Sequence, residues 1–126
     1  MKKEILTKEA PAPIGPYSQA IDTGTLIFCS GQIPLDPVTG EVVGAGDVEA
    51  QTKQVMKNIA AVLKQAGVSF NQVVKTTIYL KNMADFPKVN PIYGEYFQAP
   101  FPARSTVEVA RLPKDVLVEV EVTVLR

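Results

Sequence analysis

The chain has 126 residues, the size of one ordinary domain, so we expect a single domain over residues 1–126. Its 13 basic and 13 acidic side chains balance, so no net charge attracts nucleic acid or an anionic membrane. One cysteine and no histidine exclude an internal disulfide, argue against a metal site and remove the most common general base. Any chemistry then falls to carboxylates, hydroxyls and arginine.

Nothing in the sequence indicates a membrane or export segment. No uninterrupted apolar run approaches the length of a membrane span. The start, Met1-Lys2-Lys3-Glu4, lacks the apolar core of a signal peptide. We therefore expect a cytoplasmic protein with no membrane partner.

The first forty residues are predicted to be mostly extended chain and turns. A short strand-like run comes first, and prolines at 11, 13 and 16 then favour extended backbone over helix. Residues 17–21 and 26–30 are predicted as two strands, joined by a turn at Asp22-Thr23-Gly24. A second turn follows in the segment DPVTGE.

Residues 47–66 are the clearest helix. Asp47 can cap its first turn, Glu49 lies where the helix dipole favours an anion, and Gly67 follows the last turn. Apolar side chains recur at helical spacing, namely Val48, Val55, Ile59, Val62, Leu63 and Ala66. This helix should therefore lie across a sheet.

Residues 73–80 are predicted as a further strand, and residues 85–98 as a second helix that is weakened near Pro91. The order of strands, helix, strand, helix and C-terminal strands predicts an α+β sandwich with both helices on one face. Apolar strand residues such as Ile78, Leu80 and Leu125 argue against leaving the other face to water. We therefore expect self-association.

The C-terminal segment FPARSTVEVARLPKDVLVEVEVTVLR alternates apolar and polar side chains on both sides of a proline turn, which predicts a β-hairpin. A loop at residues 112–115 would pair Arg111 with Val116. The valines of both strands would then share one buried face. These are Val107, Val109, Val118, Val120, Val122 and Val124.

Charged residues occupy the other face of this predicted hairpin. Glu108 would stand opposite Glu119, and Arg104, Thr106 and Glu119 would line one face around a gap that suits a very small molecule. Facing carboxylates could raise a carboxyl pKa, but a register shifted by two residues puts Glu119 opposite Ala110 and removes this effect. The common alternative is a solvated face with weak ion pairs of about 0.2–1 kcal/mol each.

The segment PARSTVEVARLPKDVLVEVEV resembles the C-terminal signature of the Rid family, the reactive intermediate imine deaminases. The segments APAPIGPYSQAI, SGQIPLDPVTGEV, QTKQVMKNIAAVLKQAG and VKTTIYLKNMADFPKVNPIY resemble its other blocks in the same order, over essentially the whole chain. The resemblance is strongest to the RidA subgroup. It implies a chorismate-mutase-like fold with a mixed sheet, a homotrimer with a central barrel-like core, and sites in clefts between subunits.

The same resemblance assigns three catalytic residues. Arg104 would grip the substrate carboxylate, which a guanidinium can hold by two charge-assisted hydrogen bonds. Glu119 would position or activate water, and Tyr17 lies in a proline-rich loop that could reach a neighbouring subunit. The structural alternatives are an ion pair of Arg104 with Glu121 or Glu108, a solvated Glu119 and a packed Tyr17.

Further substrate-binding residues follow from the resemblance. Ser30 and Gly31 would lie near the ligand, although such a pair is also an ordinary strand end, and Asn90 before proline is also a common turn residue. Thr106 would lie beside Arg104. Many relatives have cysteine at the position of Thr106, so thiol chemistry is not needed there in this chain. The lone cysteine, Cys29, is predicted to be a small buried residue.

The reaction that the resemblance implies is hydrolysis of short-lived enamines or imines, such as 2-aminoacrylate, 2-iminopropanoate and 2-iminobutanoate. The products would be 2-oxo acids and ammonia, with no metal and no cofactor. Endoribonuclease or translation-inhibitor activity is one alternative, and the neutral charge and missing histidine argue against nucleic acid. The other alternative is a regulatory protein that binds a small carboxylate without turnover.

Overall fold

The computed structural model describes residues 2–126, which form one mixed sheet and two helices. The strands are β1 (Lys3–Ile5), β2 (Ala20–Asp22), β3 (Leu26–Cys29), β4 (Val73–Leu80), β5 (Ala103–Glu108) and β6 (Val118–Leu125). The helices are α1 (Val48–Ala66) and α2 (Phe86–Gly94). The strand order is β1-β2-β3-β6-β4-β5, in which only β4 and β5 run parallel. The predicted α+β class with a mixed sheet is confirmed.

The predicted first helix is confirmed, with its first turn beginning at Val48. The Asp47 carboxylate accepts hydrogen bonds from the backbone N–H groups of Glu49 (3.1 Å) and Ala50 (3.2 Å). Gly67 ends the helix in a left-handed conformation with φ 76°, which glycine adopts without steric cost. Both ends of α1 are therefore set by local sequence.

The second helix is shorter than the predicted 85–98. A single 3₁₀ turn at Met83–Asp85 precedes it, and it ends at Gly94. The N–H groups of residues 95–97 bond to carbonyl groups three residues earlier, so the last turn tightens. This turn brings Phe97 into the core against the rings of Tyr93 and Phe70. The α-helix therefore ends at Gly94, and the tightened turn after it buries Phe97.

The predicted strand 17–21 is also displaced, because β2 covers only residues 20–22. Gln19, immediately before it, is 1% exposed and uses its side-chain amide to hold the preceding loop. The amide accepts a hydrogen bond from the Thr7 N–H (2.8 Å) and donates to the carbonyl groups of Thr7 (3.0 Å) and Pro11 (2.9 Å). The side chain of Gln19 therefore holds the preceding loop against the start of β2.

Replacing Gln19 with leucine is expected to lower the free energy of unfolding by about 2–3 kcal/mol, since buried backbone groups lose their partners. Urea denaturation followed by circular dichroism measures this. Leucine at Gln65, an exposed position of α1, is the matched control and should change stability by less than about 0.5 kcal/mol. Equal stability of the two variants would show that the loop does not depend on the amide.

Both helices cover the same face of the sheet, as predicted. Alternate residues of β6, from Val118 to Val124, are buried there together with Ile78 and Leu80 of β4. Ile78 and Leu80 therefore belong to the covered face, which corrects the expectation that they make the other face apolar. The uncovered face, here called the open face, instead exposes Phe28 (50%), Val107 (40%) and Leu125 (52%).

The predicted C-terminal hairpin is wrong, because β4 lies between β5 and β6. Helix α2 connects β4 to β5, and a helical crossover of this kind places two strands in parallel. The chain then passes to the other side of β4, where β6 pairs antiparallel with it. Neither Arg111–Val116 pairing nor Glu108–Glu119 pairing exists, and Arg111 forms an ion pair with Asp115 instead (2.6 Å).

Candidate active site

A cleft of about 400 Å³ surrounds the carboxylate of Glu119. Its walls are mostly apolar and come from the loop before β2, the segment after β3 and the turn before β6. Its polar lining consists of Tyr17, Gln19, Gln32, Lys114 and Glu119. The volume and the few polar groups are typical of a small-molecule site.

Gly31 and Glu119 are in direct contact in this cleft. A Cβ atom at residue 31 would lie 2.1 Å from Oε2 of Glu119, so any larger residue would displace the carboxylate. Gln32 fixes the segment by exchanging backbone hydrogen bonds with Val120 (2.8 and 3.2 Å). Glycine is therefore needed at residue 31 for close approach and not for an unusual backbone angle.

The carboxylate of Glu119 is half-buried and has no hydrogen-bond donor among residues 2–126. Burial is the main cause that raises the pKa of this carboxyl above its ordinary value, and the nearby charge of Glu121 raises it further. A carboxylate with a raised pKa and free lone pairs can accept a proton from water.

Tyr17 and Ser30, two of the predicted site residues, have different surroundings. Tyr17 lines the cleft, is 50% exposed, and its hydroxyl accepts a weak hydrogen bond from the N–H of Ile14 (3.4 Å). The hydroxyl of Ser30 donates to the carbonyl of Ser18 (2.6 Å) and so ties two extended segments together. Tyr17 is available to a ligand, whereas the Ser30 hydroxyl already has a backbone partner.

Arg104 lies in a second cleft, of about 470 Å³, together with Asn90. Its Nη1 donates to Oδ1 of Asn90 (2.7 Å), and its guanidinium lies 5.1 Å from the ring centres of Phe86 and Tyr93. These contacts hold the planar group by cation–π attraction and leave N–H donors free. The contact between Arg104 and Asn90, which the sequence could not show, brings two predicted site residues together.

The alternative that Arg104 forms a structural ion pair is wrong for residues 2–126. Glu108 accepts a hydrogen bond from the N–H of Met83 (2.8 Å), and Glu121 accepts one from the hydroxyl of Tyr79 (3.0 Å). No ion pair involving Arg104 occurs in the described part of the chain. Its charge is therefore available to an anion.

The predicted single face carrying Arg104, Thr106 and Glu119 is wrong within one chain. Arg104 and Thr106 pair with Thr76 and a buried isoleucine of β4, on the helix-covered side. Glu119 pairs with Tyr79, on the opposite side. One copy of the chain thus places the Arg104 guanidinium and the Glu119 carboxylate on different faces of its sheet.

The sequence did not predict that the rings of Phe86 and Tyr93 lie against the guanidinium of Arg104. This contact depends on how α2 packs against β5. The sequence also did not indicate Lys114, which lines the Glu119 cleft. Cys29 is packed against the core as predicted, and burial raises the pKa of its thiol to about 12, so it is not a nucleophile near neutral pH.

Two absences are established for residues 2–126. No helix there is both long and apolar enough to cross a membrane. No group of three or more histidine, cysteine, aspartate or glutamate side chains there is arranged to hold a metal ion.

The family model described as endoribonuclease L-PSP matches residues 7–126. A 2-iminobutanoate/2-iminopropanoate deaminase of Salmonella typhimurium is 50% identical, and the match covers 100% of this chain and 99% of that protein. A crystal structure of a conserved Rid family protein from Yersinia pestis has 53% identity and a TM-score of 0.96, with full coverage of both chains. The crystal structure of Escherichia coli TdcF with bound serine has 42% identity, a TM-score of 0.92 and 98% coverage of each chain.

Proposed function

Because this chain belongs to the Rid family, whose sequence model is described as endoribonuclease L-PSP, we propose that it hydrolyses small 2-imino acids and their enamines to 2-oxo acids and ammonia. The name of the Salmonella relative, which is 50% identical over the full chain, supports this reaction. The observation that carries the proposal is the half-buried carboxylate of Glu119, which has no hydrogen-bond donor in the described part of the chain and faces a cleft of about 400 Å³.

We propose that the complete site forms between two copies of the chain in a homotrimer. Arg104 and Glu119 lie on opposite faces of one sheet, so one copy cannot bring them to the same small molecule. The open face exposes Phe28, Val107 and Leu125, and β5 is an edge strand with one unpaired side. Association of copies would cover both features.

In this site, Arg104 holds the carboxylate of the imino acid by two parallel charge-assisted hydrogen bonds. Asn90 and the rings of Phe86 and Tyr93 keep the guanidinium in position. E. coli TdcF, a relative with 42% identity, binds serine in its crystal structure. Like the proposed imino acid substrate, serine has a carboxylate and a nitrogen on the adjacent carbon. Arg104 therefore fixes the orientation of the C=N bond relative to Glu119 of the other copy.

Glu119 then acts as the general base. It takes a proton from water as the water oxygen bonds to the imine carbon and the C=N π electrons move to nitrogen. It returns this proton to the nitrogen, which gives a carbinolamine with neutral OH and NH2 groups. Glu119 then takes the hydroxyl proton and passes it to the NH2 group, so that the C=O double bond forms as the C–N bond breaks and ammonia leaves. Positioning and one general base suffice, because these imines also hydrolyse spontaneously in water, so the barrier to be lowered is modest.

A coupled assay tests the proposed function. Serine dehydratase generates 2-aminoacrylate, and the rate of pyruvate formation is compared with and without the protein. The native chain is expected to accelerate pyruvate formation, and Glu119→Gln to lose about 10²–10⁴-fold of that acceleration. Full turnover by Glu119→Gln would exclude the carboxylate as base.

The acceleration is expected to depend on pH through Glu119. Only the ionised carboxylate is a base, so turnover should fall as pH decreases through a pKa that lies above the ordinary value for glutamate, because burial raises it. Rates divided by the spontaneous rate at each pH measure this. If the acceleration stayed constant as the pH decreased to the ordinary pKa range of glutamate, the assignment of Glu119 as the base would be contradicted.

Gly31→Ala is expected to reduce turnover by about 10²-fold, because the new Cβ displaces the Glu119 carboxylate. Stability should change by less than about 1 kcal/mol, since the end of the Glu119 side chain can move aside. The control is Gly31→Ala made in Glu119→Gln, where no further loss is expected because the affected group is already absent. Native turnover by Gly31→Ala would show that the contact is unimportant.

The description of the family model makes RNA cleavage the second candidate. The protein has 13 basic and 13 acidic side chains and no histidine, which does not favour a general RNA-cutting site. Purified native protein and Glu119→Gln should leave single-stranded RNA equally intact. Cleavage that survives rigorous nuclease removal and disappears in Glu119→Gln would favour this candidate.

A further inference from the structure

A second carboxylate follows Glu119 on the open face of β6. Glu121 is two positions further along the strand, so the two side chains leave the backbone about 7 Å apart and on the same side. Tyr79 of β4 pairs directly with Glu119, yet its hydroxyl donates to Oε1 of Glu121 (3.0 Å). Its side chain therefore reaches diagonally from the position of one carboxylate to the other.

We propose that Glu121, held in place by Tyr79, is a positioning residue whose fixed negative charge makes Glu119 a stronger base. This inference rests on the proposed function and adds a residue pair to its mechanism. Glu121 touches neither substrate nor water in the reaction. It acts only through the electrostatic potential at Glu119.

The hydrogen bond from Tyr79 is what distinguishes this pair from two solvated glutamates. A free glutamate side chain would rotate away from a like charge and be screened by water. The tyrosine hydroxyl instead donates a hydrogen bond to the Glu121 carboxylate and restricts its movement. Two ionised carboxylates about 7 Å apart repel each other, so the arrangement is unfavourable for stability.

Within one copy of the chain, the other groups near Glu119 do not cancel this charge, and in the proposed site the Arg104 of the other copy is paired with the substrate carboxylate. Tyr17 and Lys114 line the same cleft, Tyr79 pairs with Glu119 from β4, and Gly31 contributes only backbone. Lys114 is the one cation among the cleft-lining side chains in residues 2–126, and its ammonium group points to the carbonyl of Gly40 (3.4 Å). In agreement, both burial and the charge of Glu121 raise the pKa of Glu119.

The chemical benefit concerns proton transfer in both directions. A carboxylate of ordinary pKa is a weak base at neutral pH, and a base is most effective when its pKa lies closer to the working pH. A higher pKa makes the ionised carboxylate of Glu119 a stronger base, which removes a water proton more readily. The same proton then goes to the departing nitrogen.

The experiment compares pH–rate profiles of native protein, Glu121→Gln and Tyr79→Phe in the pyruvate assay, each divided by the spontaneous rate. In Glu121→Gln the acidic limb of kcat is expected to move to lower pH and the plateau to fall about two- to fivefold, with KM unchanged. Tyr79→Phe should move the limb in the same direction by less, because Glu121 remains but is released to solvent. The control is Glu4→Gln, which removes an exposed carboxylate of β1 and should leave the profile unchanged.

Thermal unfolding supplies a readout that does not depend on turnover. Relief of like-charge repulsion should raise the melting temperature of Glu121→Gln at pH 7.5, and this gain should shrink at acidic pH, where the carboxyls are protonated. A lower plateau with an unmoved acidic limb would indicate a merely structural role and overturn the inference alone. Absence of any acceleration by the native protein would overturn the proposed function and this role with it.

Discussion

Replacing Arg104 with alanine is expected to reduce kcat/KM for 2-aminoacrylate by about 10²–10³-fold. The guanidinium supplies two charge-assisted hydrogen bonds to the substrate carboxylate, and losing them costs about 3–4 kcal/mol of transition-state stabilisation. The loss should appear in both KM and kcat, since the same contact binds the substrate and orients its C=N bond. Folding should be little affected, because Arg104 is exposed on an edge strand.

Arg104→Lys separates charge from geometry. Lysine keeps the positive charge but lacks the planar fork that bonds a carboxylate twice and stacks on Phe86 and Tyr93. The activity of Arg104→Lys should therefore lie between that of Arg104→Ala and that of the native protein. Lys57→Ala, which removes a cation from the solvent side of α1, is the control for a general effect of charge. Native kcat/KM in Arg104→Ala would remove the proposed anchor.

A mixture of Arg104→Ala and Glu119→Gln chains is expected to regain activity that neither variant has alone. A complete site needs one Arg104 and one Glu119, and the two variants supply them from different copies if sites form between subunits. Every cyclic trimer that contains both variants has one complete site among its three, whichever variant is in the majority. The two variants, carrying different affinity tags, are co-expressed, and mixed assemblies are isolated by both tags before the pyruvate assay.

The matched control combines Arg104→Ala with a double variant that lacks both Arg104 and Glu119. No complete site can form in that mixture, so it should stay inactive. If the active mixture gives only the sum of its parents, both groups belong to the same copy. That result would contradict a site between subunits. The activity lost in Arg104→Ala and in Glu119→Gln would then have to be explained within one chain.

Local sequence determined several features of this protein. The Asp47 cap, the apolar spacing and Gly67 predict α1 to within one residue, because helix hydrogen bonds join neighbours in sequence. Family blocks along the whole chain predicted the family, which the matching model and relatives confirm. The same blocks indicated Tyr17, Gly31 and Glu119, which the structure brings to one cleft.

Tertiary structure alone decided how the strands are arranged and therefore where the site residues lie. Alternation in β5 and β6 shows that each strand has two faces, but it contains no information on which strand is the neighbour. The insertion of β4 between them places Arg104 and Glu119 on opposite faces of the sheet. Strand pairing joins residues far apart in sequence and is selected by the packing of the whole core, whereas a helix is specified turn by turn.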